Sequence, residues 1–136
     1  IGAVFALAGY DVTTSDLAPD ALARSRDEVR RRLGRLAEKG TRTRKEVDAA
    51  LGRMAYTTDS LQAARSADFV VEAAVERLDI KRQLFADLDE AAPEHTVLAT
   101  NSSTIPSSLL MDATGRPDRV CNMHFFNPAL VMACVE

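Results

Sequence analysis

The first eight residues, Ile1 to Ala8, are small and apolar and stop at Gly9, which predicts a buried helix end closed by a glycine in the left-handed conformation. A short strand is expected over Asp11 to Asp16. Pro19 suits the first turn of a helix, and Leu22, Val29, Leu33 and Leu36 recur at helical spacing as far as Gly40, with arginines over the remaining surface. Thr43-Arg44-Lys45-Glu46 has the form of a capping box: the threonine oxygen accepts from the third backbone N–H while the glutamate reaches back. It opens a shorter helix toward Arg53, and the two helices make a charged arm with one narrow apolar stripe.

Beyond the arm, a short strand is expected near Tyr56-Thr57-Thr58, then a brief helix with Asp59 as its N-cap. The apolar run Asp68 to Ala74 has the character of a buried parallel strand, and a helix follows from about Leu78 to Ala91. His95 to Asn101 is the next strand, Ser102 to Ile105 its exit loop, Pro106 to Ala113 a short helix, and Val120 to Phe125 another strand. Strands alternating with helices predict an α/β fold with a mostly parallel, doubly wound sheet. The only linker-like stretch, Thr114 to Asp118, is too short to separate domains, so one folded piece is expected from the 136 residues.

Composition adds little until charge is placed along the chain. The 46% hydrophobic and 27% charged residues fit an ordinary helix-rich domain. Eleven of the 17 Lys and Arg lie between Arg24 and Arg53 against five acids, so that segment carries +6 and the rest −9, and the arm wants an anion or a partner. No apolar run is long enough to cross a bilayer and no signal sequence is visible, which predicts a cytoplasmic protein. Cys121 and Cys134 sit in apolar stretches and are expected as two buried thiols, not a disulfide or metal pair. The chain begins with Ile1 inside an apparent helix, as expected of a fragment.

Asp16 ends the second element after a helix and a Gly turn. In a dinucleotide-binding fold that acid accepts hydrogen bonds from the adenosine ribose and repels the extra phosphate of NADP. A turn-starting Asp before Pro19 fits the same spacing, and both readings stay open at this level.

The segment from Val120 to Pro128, with the core His124-Phe125-Phe126-Asn127-Pro128 and Glu136 twelve positions after the histidine, resembles the active-site segment of the 3-hydroxyacyl-CoA dehydrogenase family. Gly9 to Val12 with Asp16, Val71 to Glu76 with Lys81, and Thr100 to Thr104 resemble the same family in the same order. The resemblance implies a Rossmann-type sheet that starts here just after the family's first strand and Gly-rich phosphate turn. It also implies a C-terminal helical domain, absent from these residues, that closes over the acyl-CoA and usually carries a homodimer interface. In the strand order 3-2-1-4-5-6, loss of the first strand would split the sheet, and the isolated chain is expected to be poorly stable and a weak binder of NAD.

By that resemblance His124 is the base and Glu136 its orienting partner, roles that suit a neutral imidazole near pH 7. Ser103 matches the serine that bonds the substrate oxygen, and Asn101 the asparagine beside the nicotinamide ribose and the substrate. Ala73, Glu76 and Lys81 match positions lining the cofactor site, although a functionless surface pair is an alternative for Lys81. Lys39 and Arg32 match contacts to coenzyme A phosphates. No metal, nucleic acid or membrane is implied, and the cofactor is NAD. Two other functions remain in view: a related dehydrogenase of a free hydroxy acid or sugar acid, which has no need of a basic arm, and a non-catalytic module whose arm binds a partner or nucleic acid. A fused enoyl-CoA hydratase domain, the acyl chain length and the pathway are not legible in these residues.

Overall fold

The computed structural model describes residues 1–136. Its contacts divide the chain into two compact units, Ile1–Ser60 and Leu61–Glu136. Every strand pairing is parallel. The strands hydrogen-bond only within their own unit, one sheet of two and one of three, so the sheet is split as expected.

The first unit contains α1 (Gly2–Leu7), β1 (Val12–Ser15), α2 (Pro19–Glu38), α3 (Arg44–Gly52) and β2 (Met54–Thr57). β1 pairs with β2 from Val12↔Met54 to Ser15↔Thr57. A Cβ at Gly2 would stand 3.3 Å from both Thr14 Oγ1 and Val12 Cγ1, so its absence lets α1 lie close on β1. Gly9 and Gly40 end α1 and α2 with φ of 99° and 69°, a region that side-chain-bearing residues rarely adopt. The capping box of α3 is formed: Glu46 N–H donates to Thr43 Oγ1 at 3.2 Å and Thr43 N–H to Glu46 Oε2 at 2.7 Å. Ala3, Ala6, Leu22, Leu33, Val47 and Ala50 are the buried residues, where α3 packs on α1 and α2.

The second unit contains α4 (Ser60–Ala64, which begins at the boundary), β3 (Phe69–Glu72), α5 (Leu78–Ala91), β4 (Val97–Thr100) and β5 (Val120–Asn122), in the sheet order β3-β4-β5. Its core gathers Ala64, Phe85, Leu88, Ala92, Leu98 and Leu110, with Val70, Ile105 and Val120 packed against it. The Arg116 guanidinium closes the C-terminal end of α5, donating to the carbonyls of Asp89 (2.6 Å), Ala92 (3.2 Å) and Pro93 while its Nε meets the Asp89 carboxylate at 2.5 Å. Helix carbonyls that lack an intrahelical partner thereby acquire one.

Several expectations are corrected. β3 is not buried on both faces: Phe69 is 41% exposed and only Glu72 is buried, because β3 is an edge of its sheet. The helix expected over Pro106 to Ala113 is two 3₁₀ turns, Ser107–Leu109 and Met111–Ala113, built on i→i+3 bonds such as Leu110 N–H to Ser107 O. β5 ends at Asn122 instead of Phe125, since the backbone beyond it pairs with residues 134–136. Cys134 is exposed, on that surface ribbon, and Cys121 half-buried; both thiols are free.

Candidate active site

The carboxyl ends of β3 and β4 and the segment after β5 border an open cleft of about 290 Å³, lined by Ala73, Ala74, Glu76, Lys81, Asn101, Ser102, Ser103 and His124. Six residues singled out in the sequence therefore meet at one place, at the strand ends where open α/β sheets bind ligands. A larger hollow of about 580 Å³, bordered by Leu61, Arg65, Asp87 and Glu90, contains none of them.

The cleft stands on an ionic cluster. Lys81 Nζ lies 2.6 Å from Glu72 Oε1 and 3.4 Å from Glu76 Oε2, and the side chains of Lys81 and Glu72 are each 1% exposed. Lys81 is thus buried, which corrects the surface position weighed for it. Glu72 also accepts from Ala74 N–H (2.5 Å) and from the Thr100 hydroxyl (2.7 Å). Glu76 Oε1 accepts from the Ser102 hydroxyl, the Thr104 hydroxyl (2.7 Å) and Thr104 N–H (3.3 Å). The Ser102 and Thr104 donors, with the Lys81 cation behind them, hold the Glu76 carboxyl down at about 2.

His124 is held on an antiparallel ribbon. His124 N–H donates to Glu136 O and Glu136 N–H to His124 O, both at 2.9 Å, and Phe125 bridges Val135. The same ribbon brings Glu136 Oε2 to 3.4 Å from His124 Nδ1. The imidazole is 25% exposed and the carboxylate 78%, so the histidine is the sheltered member. The Phe126 ring lies against the imidazole, with centroids 5.2 Å apart. Asn101 Oδ1 accepts from Phe125 N–H at 2.9 Å, which fixes the orientation of the Asn101 amide and anchors the backbone next to His124.

Ser103 is exposed on a loop whose two neighbours are tied down. Ser102 Oγ accepts from Ile105 N–H at 2.8 Å, and Asn122 Oδ1 accepts from Ser107 N–H at 2.6 Å while its amide donates to Ile105 O at 3.3 Å. Glu72, Thr100, Ser102 and Asn122 are the residues the sequence reading missed. The available signal was a glutamate inside the apolar run Phe69-Val70-Val71-Glu72, because a buried charge requires a partner and Lys81 lies in the first turn of the next helix.

Asp16, Arg32 and Lys39 belong to the first unit. Asp16 follows β1, and its Oδ1 accepts from Ala18 N–H at 2.9 Å, the turn that sequence spacing allowed. Arg32 and Arg31 share Glu28, at 2.5 and 2.6 Å, and Arg42 and Arg44 pair with Glu46 and Asp48. Lys39 caps α2 and is exposed.

Comparison with known proteins converges on one family. Residues 1–136 match the model described as 3-hydroxyacyl-CoA dehydrogenase, NAD binding domain. The chain is 40% identical over 129 residues to a probable 3-hydroxybutyryl-CoA dehydrogenase of Bacillus subtilis, covering 95% of the chain and 45% of that protein. It is 38% identical over 141 residues to the human mitochondrial hydroxyacyl-coenzyme A dehydrogenase, covering 100% of the chain and 45% of that protein. The crystal structure of 3-hydroxybutyryl-CoA dehydrogenase from Escherichia coli K12 superposes with a TM-score of 0.94 at 39% identity, over 98% of this chain and 28% of that one. That likeness makes the fold Rossmann-like, and the chain spans less than half the length of each of these relatives. The chain belongs to the family of 3-hydroxyacyl-CoA dehydrogenase NAD-binding domains.

Proposed function

We propose that the protein interconverts (S)-3-hydroxyacyl-CoA and 3-oxoacyl-CoA with NAD, in fatty-acid or related acyl-CoA metabolism, with His124 as the base. The observation that carries this reading is the Glu136 carboxylate on the Nδ1 side of a cleft-lining imidazole. An ionised carboxylate only accepts, so it favours the tautomer with hydrogen on Nδ1 and leaves the Nε2 lone pair available. Nε2 then takes the proton of the substrate hydroxyl in the oxidation and returns it in the reduction. Glu136 stabilises the imidazolium formed in between. NAD, when bound, supplies the acceptor for the hydride that leaves the carbinol carbon.

The donor set of the cleft suits this chemistry. Ala73 and Ala74 are exposed and carry nothing beyond a Cβ, which leaves room for a flat ring to approach the backbone. Glu76, ionised beside Lys81 and lining the cleft with Asn101, offers acceptors to ribose hydroxyls. Ser103 offers a hydroxyl to the substrate oxygen. In the first unit Asp16 retains a carboxylate oxygen beyond its turn bond for the adenosine ribose, a charge that favours NAD over NADP. Lys39 and Arg32 present cations for the phosphates of coenzyme A, and the complete protein forms a homodimer outside these residues.

The test is NADH oxidation by the complete protein with acetoacetyl-CoA or free acetoacetate. We expect kcat/KM to favour the thioester by about a hundredfold, the worth of one or two charge-assisted phosphate contacts. Equal or better turnover of the free acid would remove coenzyme A from the substrate.

A further inference from the structure

Glu72 has no role in the chemistry above, yet its carboxylate is fully enclosed and spends its hydrogen-bonding capacity on the residues that shape the cleft. Oε1 accepts from Lys81 Nζ (2.6 Å) and Ala74 N–H (2.5 Å), and Oε2 from the Thr100 hydroxyl (2.7 Å). Thr100 Oγ1 in turn accepts from Ser102 N–H at 3.2 Å. One carboxylate therefore ties together the exit turn of β3, the last residue of β4 and the ammonium on α5.

Lys81 is equally committed. An ammonium has three protons, and Nζ has three oxygens around it: Glu72 Oε1 at 2.6 Å, Glu76 Oε2 at 3.4 Å and Ala74 O at 3.4 Å. With a side chain 1% exposed and its donors engaged, Lys81 acts on a ligand through the groups it holds. Glu76, 42% exposed, is the member of the cluster that faces outward.

We infer that Glu72 is a positioning residue for the dinucleotide, acting through Lys81 and Ala74 to set the Ala73–Ala74 turn and the Glu76 carboxylate; this rests on the NAD reading of the cleft. Without the Glu72 charge, Glu76 is the one carboxylate left to the Lys81 cation, which draws it off Ser102 and Thr104, where the dinucleotide is to be received. Touching no ligand, Glu72 affects cofactor affinity more than turnover.

The experiment measures NADH dissociation constants by fluorescence titration, with kcat at saturating NADH and acetoacetyl-CoA, for the complete wild-type protein and for Glu72→Gln, which keeps shape and removes charge. The expected result is an NADH affinity lower by about tenfold, with kcat within about threefold. A folded Glu72→Gln protein with wild-type NADH affinity, whatever its melting temperature, overturns the inference, as does a fall in kcat at unchanged affinity. Should that variant fail to fold, Glu72→Asp keeps the charge with too short a reach to hold Ala74 and Thr100 together. A threefold or greater loss of NADH affinity supports the inference, and unchanged affinity overturns it. A wild-type protein that does not bind NADH defeats the functional reading itself, and this inference with it.

Discussion

Glu76 takes four hydrogen-bonding or ionic contacts through two oxygens, and the Ser102 and Thr104 donors together with Lys81 keep it ionised far into acid. Its carboxyl lies at about 2 in the folded protein, against an ordinary 4.5. A depressed folded-state value contributes stability that is fully present above pH 4.5 and is lost as pH falls toward 2. Glu76→Gln should therefore flatten the acid limb of stability between those limits, as followed by chemical denaturation at a series of pH values. Identical slopes for the two proteins would show that the contacts contribute nothing. Legibility in the sequence differs from residue to residue. His124 and Glu136 were singled out through the family resemblance of the one segment that carries both, and two backbone bonds of a ribbon set them side by side. Glu72 was not, because its meaning comes from Lys81, Thr100 and Ala74, which only the folded chain assembles around it.

At the scale of elements, the loop from Ser102 to Ser107 carries Ser103, and Asn122 clamps it through Ser107 N–H (2.6 Å) and Ile105 O (3.3 Å). Asn122→Ala removes both bonds, worth together about 1–3 kcal/mol. The expected consequence is a rise of roughly tenfold in the KM for acetoacetyl-CoA, with little change in NADH affinity. A KM within twofold of wild type would detach the clamp from substrate placement. The helix α5 was legible, expected from about Leu78 to Ala91 and found over Leu78–Ala91. The stretch after Pro106 was misread as one helix: the buried Leu110 and the i→i+3 bonds on either side of it break the segment into two tight turns, and nothing in local propensity announces that. For β3 the run of apolar residues concealed an edge position, which depends on which neighbour the strand lacks and not on its own composition.

At the scale of the molecule, contacts divide the chain into two compact units, each with its own parallel sheet. In the unit that carries the cleft, Phe85 and Leu98 are fully buried between α5 and the sheet, and Phe85→Ala should cost about 3–5 kcal/mol. Denaturant unfolding monitored by a probe in that unit checks this, and a loss under 1 kcal/mol would mean that the core collapses around the gap. The parallel α/β class was readable from alternating strands and helices, and the split from the strand order.

The most direct test of the central claim compares His124→Ala with wild type in the complete protein, measuring acetoacetyl-CoA-dependent NADH oxidation beside NADH binding. Loss of a general base is expected to lower kcat by about 10²–10⁴ while NADH affinity stays within a few-fold. Retention of wild-type kcat in a folded, NADH-binding His124→Ala protein would contradict the mechanism and remove the imidazole from the chemistry.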